Sequence, residues 1–261
     1  MKTLFSLSAQ LLGILLIISL DSCKKTDDVT PLPTCRTTEY TSLDGTSNAN
    51  KYSYTFTYGG DGRPFVIETK YSNFNPTLSQ KTAWTYDYGT AGKVTINQTF
   101  VGQPYLTTTL TLDGQNRATH REDVSPSGSK VVYDYEYDSQ GYLTKIKRQG
   151  TEETVINAEN GYLRSATIGS SLYTITTNEQ ADLKQLIPIG FLNVQWPYVS
   201  FLGRPFRGTV TAYKIGNTSY QITINTFNGQ GGLMSRDITY TDPTTNKSVS
   251  YLKETFVTSC Q

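Results

Sequence analysis

The sequence predicts an all-β protein, an antiparallel meander of about sixteen strands that curls into a soluble, barrel-like sheet. Aromatic residues alternate with hydroxyl or acidic residues in runs such as 52–58, 84–88 and 133–137. Turn signals rich in Gly, Asn and Asp separate these runs at nearly regular intervals. Such short connections join only neighbouring antiparallel strands, and a sheet of so many strands rarely stays open and flat.

The alternation also predicts which side chains face the interior. A period of two places one residue set on each face of a strand, so we expect the aromatics inside and the threonines outside. A lipid-facing strand needs about ten residues with an apolar outward set. The strands predicted here have about seven residues and an outward set of Ser, Thr, Asp, Glu and Asn. These features favour a water-soluble barrel.

The first 22 residues have the features of an export signal. Lys2 is followed by an apolar run at 11–20, about half the ~20 residues that a membrane-spanning helix needs. This length disfavours the alternatives of a membrane anchor or a buried core helix. Residues 23–34 are polar with two prolines and predict a flexible tether before one domain at 35–261.

The end of this signal, Leu20-Asp21-Ser22-Cys23, resembles the lipobox of bacterial lipoproteins. Asp21 departs from the small or apolar residue usual at its position. The resemblance implies that Cys23 carries lipid and anchors the chain in a membrane. Residues 24–28 are similar to the lysine-plus-acidic tags of lipoproteins on the outer face of the outer membrane; a solvated tether is the alternative. We therefore expect a lipid-anchored protein of the bacterial outer membrane, exposed at the cell surface.

The two remaining cysteines stand at the ends of the predicted domain. With Cys23 lipidated, Cys35 and Cys260 are left in an oxidising compartment, where a pair is more often bonded than free. A bond between them closes a loop of about 225 residues, and first and last strands that are neighbours in a barrel allow it. Two buried free thiols are the alternative.

A degenerate repeat gives a second resemblance. Residues 135–146 read Tyr-Glu-Tyr-Asp-Ser-Gln-Gly-Tyr-Leu-Thr-Lys-Ile, with looser copies at 56–67 and 158–168. They resemble the tyrosine-aspartate repeats of bacterial surface and toxin-shell proteins. Together with the leader, the chain is similar to a family of exported bacterial lipoproteins of unknown function with a porin-like fold. The resemblance implies an antiparallel barrel-like domain and no known activity.

One insertion, residues 177–208, breaks the alternation. Residues 178–186 predict a helix, and the apolar stretch 189–207 is too hydrophobic for a solvated loop. It either plugs or caps the barrel, or it lines a ligand site. In the second interpretation the ligand is a sugar or another flat amphipathic molecule. The candidate binding residues are Trp196, Tyr198 and Phe201, with Arg204 or Arg207.

Catalytic chemistry has little support. His120, the one histidine, has no evident partner, and no cluster of metal ligands or nucleophile motif is present in the sequence. Asp134 and Glu136 share a strand face and allow a glycoside-cleaving enzyme as a minor alternative. A net charge of +1 and a charged fraction of 17% argue against nucleic acid. We predict a cofactor-free, non-enzymatic envelope protein that binds a glycan or an envelope protein; a purely structural scaffold is the other alternative.

The anchor gives the first testable prediction. Cys23→Ala removes the acylated thiol, so we expect an unprocessed, lipid-free chain that leaves the membrane fraction, as measured by mass spectrometry and fractionation. Globomycin treatment of the unmodified chain is the matched control, because it blocks cleavage after acylation and gives an uncleaved precursor that is heavier than the Cys23→Ala chain by the lipid on Cys23. A Cys23→Ala chain of unchanged mass that remains membrane-bound contradicts lipidation.

Overall fold

The computed structural model describes residues 35–47, 50–71, 80–180, 197–229 and 232–260. The chain divides into two compact units, Met1–Leu32 and Pro33–Gln261, and every described residue lies in the second. The predicted signal peptide and tether, with Cys23, lie outside the described residues, as does Trp196.

Sixteen strands form the barrel, and each contains the alternating or β-branched residues that favour a pleated surface. They are β1 (Cys35–Asp44), β2 (Asn50–Tyr58), β3 (Pro64–Tyr71), β4 (Gln80–Asp87), β5 (Lys93–Phe100), β6 (Gln103–Leu112), β7 (Ala118–Val124), β8 (Lys130–Tyr137), β9 (Leu143–Arg148), β10 (Thr151–Glu159), β11 (Tyr162–Ile168), β12 (Ser171–Asn178), β13 (Thr209–Ile215), β14 (Thr218–Phe227), β15 (Leu233–Thr241) and β16 (Ser248–Cys260).

The barrel is closed, and every strand pairs antiparallel with its neighbours in sequence. The one exception is the seam, where β1 pairs with β16 in a register that runs from Cys35↔Cys260 to Asp44↔Leu252. The predicted all-β meander of sixteen strands is confirmed, and so is its closure.

The two ends of the barrel differ in what they carry. β1 begins and β16 finishes at the same end, which we call the terminal end. Because the strands alternate in direction, the connections after the even-numbered strands lie at the terminal end. Those after the odd-numbered strands lie at the opposite, distal end.

The interior holds the aromatic and aliphatic side chains, as the alternation predicts. On β4, Trp84 and Tyr86 are buried while Thr85 and Asp87 are exposed. The outward set of β4 is therefore polar and differs from the apolar outer band of a lipid-facing strand. The buried core includes Tyr40, Phe56, Ile67, Trp84, Tyr86, Val94, Ile96, Leu110, Tyr135, Ile146, Ile156, Leu163, Ile175, Leu233 and Phe256.

The turns of the quoted repeat use a common hydrogen-bond pattern. Asp138 accepts bonds through Oδ1 from the backbone N–H groups of Gln140 and Tyr142, at 2.9 Å each. Its own N–H donates to the Tyr142 carbonyl, and Gly141 occupies the left-handed region at φ 89°. Glycine or asparagine is favoured there because other residues clash. Asp113, with Asn116 at φ 60°, repeats the arrangement after β6.

The repeated tyrosines brace neighbouring hairpins at the terminal end. In each brace, the tyrosine hydroxyl donates to the backbone carbonyl of the residue that follows an arginine, and that arginine lies over the tyrosine ring. The braces join Tyr58 to Thr37 (2.8 Å), Tyr88 to Pro64 (2.8 Å) and Tyr137 to Ala118 (2.7 Å), with Arg36, Arg63 and Arg117 over the rings at 5.7, 5.3 and 4.7 Å.

The insertion begins and folds differently from the prediction. β12 continues through Asn178 because Thr177 and Asn178 pair with β13, so the break starts two residues later than expected. Most of the predicted helix at 178–186 lies outside the described residues. The helical structure in the described part of the insertion is one 3₁₀ turn, Val199–Phe201. Among the described residues, no helix is long and apolar enough to cross a bilayer.

The seam gives the second prediction. Directly opposed residues of antiparallel strands have Cα atoms about 4.5–5.5 Å apart, within the range of a disulfide. We propose that Cys35 and Cys260 are bonded, and we expect reduction to lower the free energy of unfolding by up to about 5 kcal/mol. Chemical denaturation of a Cys23→Ala chain, with and without reductant, measures this, and Cys35→Ser should match the reduced protein. Two thiols that react in the unfolded, unreduced chain would contradict the bond.

Candidate functional site

The described end of the insertion enters the barrel at the terminal end. Tyr86 donates its hydroxyl to the Pro197 carbonyl at 2.9 Å. Phe201 lies against the rings of Tyr86 and Tyr88, at centroid distances of 6.4 and 6.5 Å. Tyr198 and Phe201 are only 3% and 6% exposed. This segment therefore fills interior space at that end.

Tyr198 reaches a buried charged cluster on β6 and β7. Arg121 binds Asp123 with two parallel hydrogen bonds of 2.8 and 2.6 Å, and Thr108 donates to the same carboxylate at 2.6 Å. The guanidinium lies 3.8 Å from the centre of the Tyr198 ring and donates to its hydroxyl at 3.0 Å. Tyr133 lies on the guanidinium as well, at 4.7 Å. The charge is therefore held by a carboxylate and two aromatic faces.

Burial and pairing act in opposite directions on this cluster. Burial lowers the pKa of Arg121, but the hydrogen bonds to Asp123 outweigh it and the pKa is raised. Burial raises the pKa of Tyr198, and that of Tyr135 to about 12. The phenols are consequently neutral at physiological pH while the guanidinium stays charged.

These positions bear on the predicted ligand residues. Tyr198 and Phe201 face the interior, and the half-buried Arg204 lies 5.3 Å from the centre of the Tyr142 ring at the terminal end. Arg207 donates its backbone N–H to the Gly161 carbonyl. The contacts favour the alternative in which the insertion plugs the barrel. The ligand role of Trp196, Tyr198, Phe201 and Arg204 stays a prediction.

The distal end carries a second aromatic group, five tyrosines from consecutive strands β12 to β16, which we call the tyrosine cluster. Tyr213 and Tyr220 are stacked, with centroids 4.6 Å apart and planes at 9°. The cluster is half-buried, with Tyr251 40% exposed. Ring contacts of 5.7–6.3 Å connect the remaining members, which are Tyr173 against Tyr213, Tyr240 against Tyr220, and Tyr251 against both Tyr220 and Tyr240.

Register shows that the cluster faces the interior. Tyr220 pairs with Tyr240, and the next pair on the same face is Ile222 with Ile238, both buried. Burial raises the pKa of Tyr220, and the nearby tyrosines raise it further. Neutral phenols with partly exposed rings present both an apolar face and a hydroxyl.

A second buried ion pair lies deeper on the same strands. Arg236 on β15 donates to Glu254 on β16, and Tyr40 donates to the same carboxylate at 2.6 Å. Arg236 and Tyr240 share a strand face and are four residues apart, a distance of about 13 Å by strand rise. The ion pair of Arg236 and Glu254 therefore lies further inside the barrel than the tyrosine cluster. Burial, reinforced by Glu254, raises the pKa of Tyr40.

A separate depression of about 520 Å³ lies at the same end, between the turns that follow β11 and β13. Leu172 and Lys214 line it together with backbone of the turns, and Leu172 is largely exposed. It lacks the aromatic rings and the convergent buried polar groups of the tyrosine cluster, which is the stronger candidate site.

The carboxylates considered for catalysis lie on the outer face. Asp134 binds His120 at 2.7 Å, and Glu136 binds Lys147 and, at 3.8 Å, Lys145. The hydrogen bond from Lys147 lowers the pKa of Glu136, which keeps this carboxyl ionised rather than protonated as a general acid requires. The glycosidase alternative is therefore disfavoured, because it requires Asp134 and Glu136 to act as a pair in which one carboxyl is protonated. In the part of the chain that the structure describes, no group of His, Cys, Asp and Glu has the arrangement of a metal site.

The sequence prediction missed the tyrosine cluster, although a signal for it exists. Tyr213 and Tyr220 stand at symmetric positions about the Gly216-Asn217 turn, so their rings face each other once β13 and β14 pair. The other members come together only through the register of β12, β15 and β16. Tyr251 lies where this register shifts between β15 and β16, and alternation does not place it.

Two crystal structures have a similar fold. One is a porin-like protein from Bacteroides uniformis ATCC 8492, with a TM-score of 0.69 and 17% identity over 85% of this chain and 98% of that one. The other is a porin-like protein from Bacteroides vulgatus ATCC 8482, with a TM-score of 0.52 and 11% identity over the same shares. At these identities the likeness shows the fold alone. No protein-family model matches the chain, and no curated protein matches its sequence.

The buried charged cluster around Arg121 gives the third prediction. Arg121→Met leaves Asp123 buried without its cation, so we expect a loss of about 3–5 kcal/mol in the free energy of unfolding. Arg121→Met with Asp123→Leu should recover most of this loss. Arg164→Met is the control, because its ion pairs with Glu159 and Glu179 are more exposed and their loss should cost less than about 1 kcal/mol. Equal effects of the two single substitutions in urea denaturation would disprove the stabilising role of the cluster.

Proposed function

We propose that the chain is a lipoprotein of the bacterial outer membrane, exposed at the cell surface, whose barrel binds a glycan without catalysis at the tyrosine cluster. The observation that carries this proposal is the meeting of five half-buried tyrosines on the interior face of the distal end.

The chemistry of the cluster favours sugars. Aromatic faces stack on the C–H surfaces of pyranose rings, and phenol hydroxyls exchange hydrogen bonds with sugar hydroxyls. The stack of Tyr213 on Tyr220 makes a rigid platform, and Tyr240 and Tyr251 stand at angles of 40° and 68° to Tyr220. Rings in several orientations can contact more than one face of a sugar.

The anchorage fits this placement. The lipobox-like segment ending at Cys23 is joined to β1 at Cys35, and β1 begins at the terminal end. Cys35, the residue that follows the predicted tether, therefore lies at the terminal end, while the tyrosine cluster lies at the distal end. The porin-like description of the two structural neighbours, both from Bacteroides, supports a place in the cell envelope.

The arrangement of charged groups supports a non-catalytic role. The two interior ion pairs, Arg121 with Asp123 and Arg236 with Glu254, are each occupied by further hydrogen bonds. Asp134 and Glu136 lie outside in ion pairs of their own. A charged side chain whose hydrogen bonds are all occupied stabilises the fold and is poorly suited to act as a general acid or base.

The fourth prediction tests the tyrosine cluster. A glycan array probed with the chain from residue 24 should identify a ligand, and Tyr220→Ala should weaken its binding about tenfold by removing the central ring. Phe227→Ala is the matched control, since Phe227 is an exposed aromatic on the same strand but at the terminal end. Titration calorimetry measures both variants.

Two outcomes separate the alternatives. Equal weakening by Tyr220→Ala and Phe227→Ala places the ligand elsewhere and contradicts the proposed site. An array without any bound glycan favours the scaffold, in which the plug and the interior aromatics serve only to fill the barrel.

A further inference from the structure

One interior arginine lacks a carboxylate partner in the described part of the barrel. Arg121 binds Asp123 and Arg236 binds Glu254, so the charges of these two arginines are compensated inside the chain. Arg148, the last residue of β9, forms no ion pair with any carboxylate of the described residues. A guanidinium in this state can donate its hydrogen bonds to an anion from outside the chain.

Register and a ring contact place Arg148 on the interior face. It lies directly opposite Tyr133 on β8, whose ring also contacts the buried Arg121 at 4.7 Å. The guanidinium of Arg148 lies 6.0 Å from the centre of the same ring. This contact restricts the guanidinium before a ligand arrives, which reduces the conformational entropy lost on binding.

Arg148 is exposed although it lies on the interior face, so it can be reached from the distal end. Thr151 lies directly opposite it across the turn after β9 and adds an exposed hydroxyl to the same face. Glu153 on the same hairpin does not compensate the charge, because one of its carboxylate oxygens is buried and has no hydrogen-bond partner among the described residues. We call Arg148, Tyr133 and Thr151 the arginine site.

The chemistry of the arginine site favours an oxyanion. A planar guanidinium donates two parallel hydrogen bonds to the oxygens of a carboxylate or of a similar oxyanion such as a sulfate ester. The hydroxyl of Thr151 can donate one more. The tyrosine cluster at the same end consists of neutral phenols, so it suits the uncharged part of a ligand.

The spacing between the two groups sets the size of the ligand. Thr151 on β10 lies opposite Arg148, and Ile156, five residues further along β10, lies in the same row as Tyr173 of the tyrosine cluster. Three strand spacings and five residues of strand rise give a separation of about 20 Å along the sheet. A single sugar ring is too short to contact both groups.

We propose that the ligand is an acidic oligosaccharide, with uncharged rings on the tyrosine cluster and a carboxylate or sulfate group at the arginine site. This inference rests on the glycan-binding function proposed above and specifies the class of glycan. Length lets one molecule contact both groups, and charge selects it from neutral oligosaccharides of the same length.

The fifth prediction compares acidic oligosaccharides with uncharged forms of the same molecules. A glycan array probed with the chain from residue 24 should bind acidic oligosaccharides, and should bind their methyl-esterified or desulfated forms about tenfold more weakly. Loss of binding on methyl esterification identifies a carboxylate as the bound group, and loss on desulfation identifies a sulfate.

Arg148→Gln should lower the affinity for the acidic oligosaccharide about tenfold, to that of its uncharged form, and leave the uncharged form unaffected. Its melting temperature should be unchanged, because Arg148 is exposed and has a single ring contact at 6.0 Å. Lys214→Gln is the matched control, since it removes one positive charge at the same end but on the outer face, beside Tyr213, and should leave both affinities unchanged. Titration calorimetry measures all variants.

The outcomes distinguish this inference from the proposed function. Equal affinity for acidic and uncharged forms, or equal effects of Arg148→Gln and Lys214→Gln, overturns the arginine site and leaves the tyrosine cluster as the glycan site. Tyr220→Ala should weaken both forms alike. If Arg148→Gln weakens binding and Tyr220→Ala does not, the arginine site stands and the site at the tyrosine cluster fails. An array without any bound glycan overturns both.

Discussion

Pairing between the first and last strands is the constraint on which the rest of the barrel depends. Every other strand pair joins neighbours in sequence and forms at low cost in loop entropy, whereas β1 and β16 are separated by nearly the whole domain. Without the seam the sheet has two unpaired edges, and nothing fixes its curvature. Only a closed ring encloses the interior in which the aromatics, the plug and the two ion pairs become buried.

Closure in turn creates a problem of volume. A ring of sixteen strands is wider than aliphatic side chains from its own walls can fill. This chain meets the demand with large rings on most strands and with Tyr198 and Phe201 from the insertion. Arg121 and Arg236 complete the filling, and each brings a carboxylate and hydroxyl groups, so the buried charges stay satisfied. The same side chains thus fill interior space and satisfy the buried charges, and Tyr198 and Phe201 fill that space at the terminal end.

Much of this architecture was predictable because strand alternation and turn residues are local properties. The runs at 52–58 and 133–137 show which side chains face inward, and the turn signals rich in Gly, Asn and Asp show where many of the hairpins reverse. The site was less predictable because it depends on register. Residues 117–123 look solvent-facing in the sequence, yet Arg121 and Asp123 point inward once β7 pairs with β6 and β8. The tyrosine cluster likewise requires the order of five strands and a register shift.

Sequential pairing has a consequence for how such barrels diverge. Since each hairpin bonds only to the hairpins before and after it, duplication or loss of one hairpin changes the circumference by two strands and leaves the other pairings intact. The Asp138 turn and the tyrosine brace at Tyr137 belong to a single hairpin and its neighbour, so they move with the duplicated piece. A lineage built on this plan can vary in width by recombination within one gene, and its lumen can widen while the plugged end keeps the same chemistry.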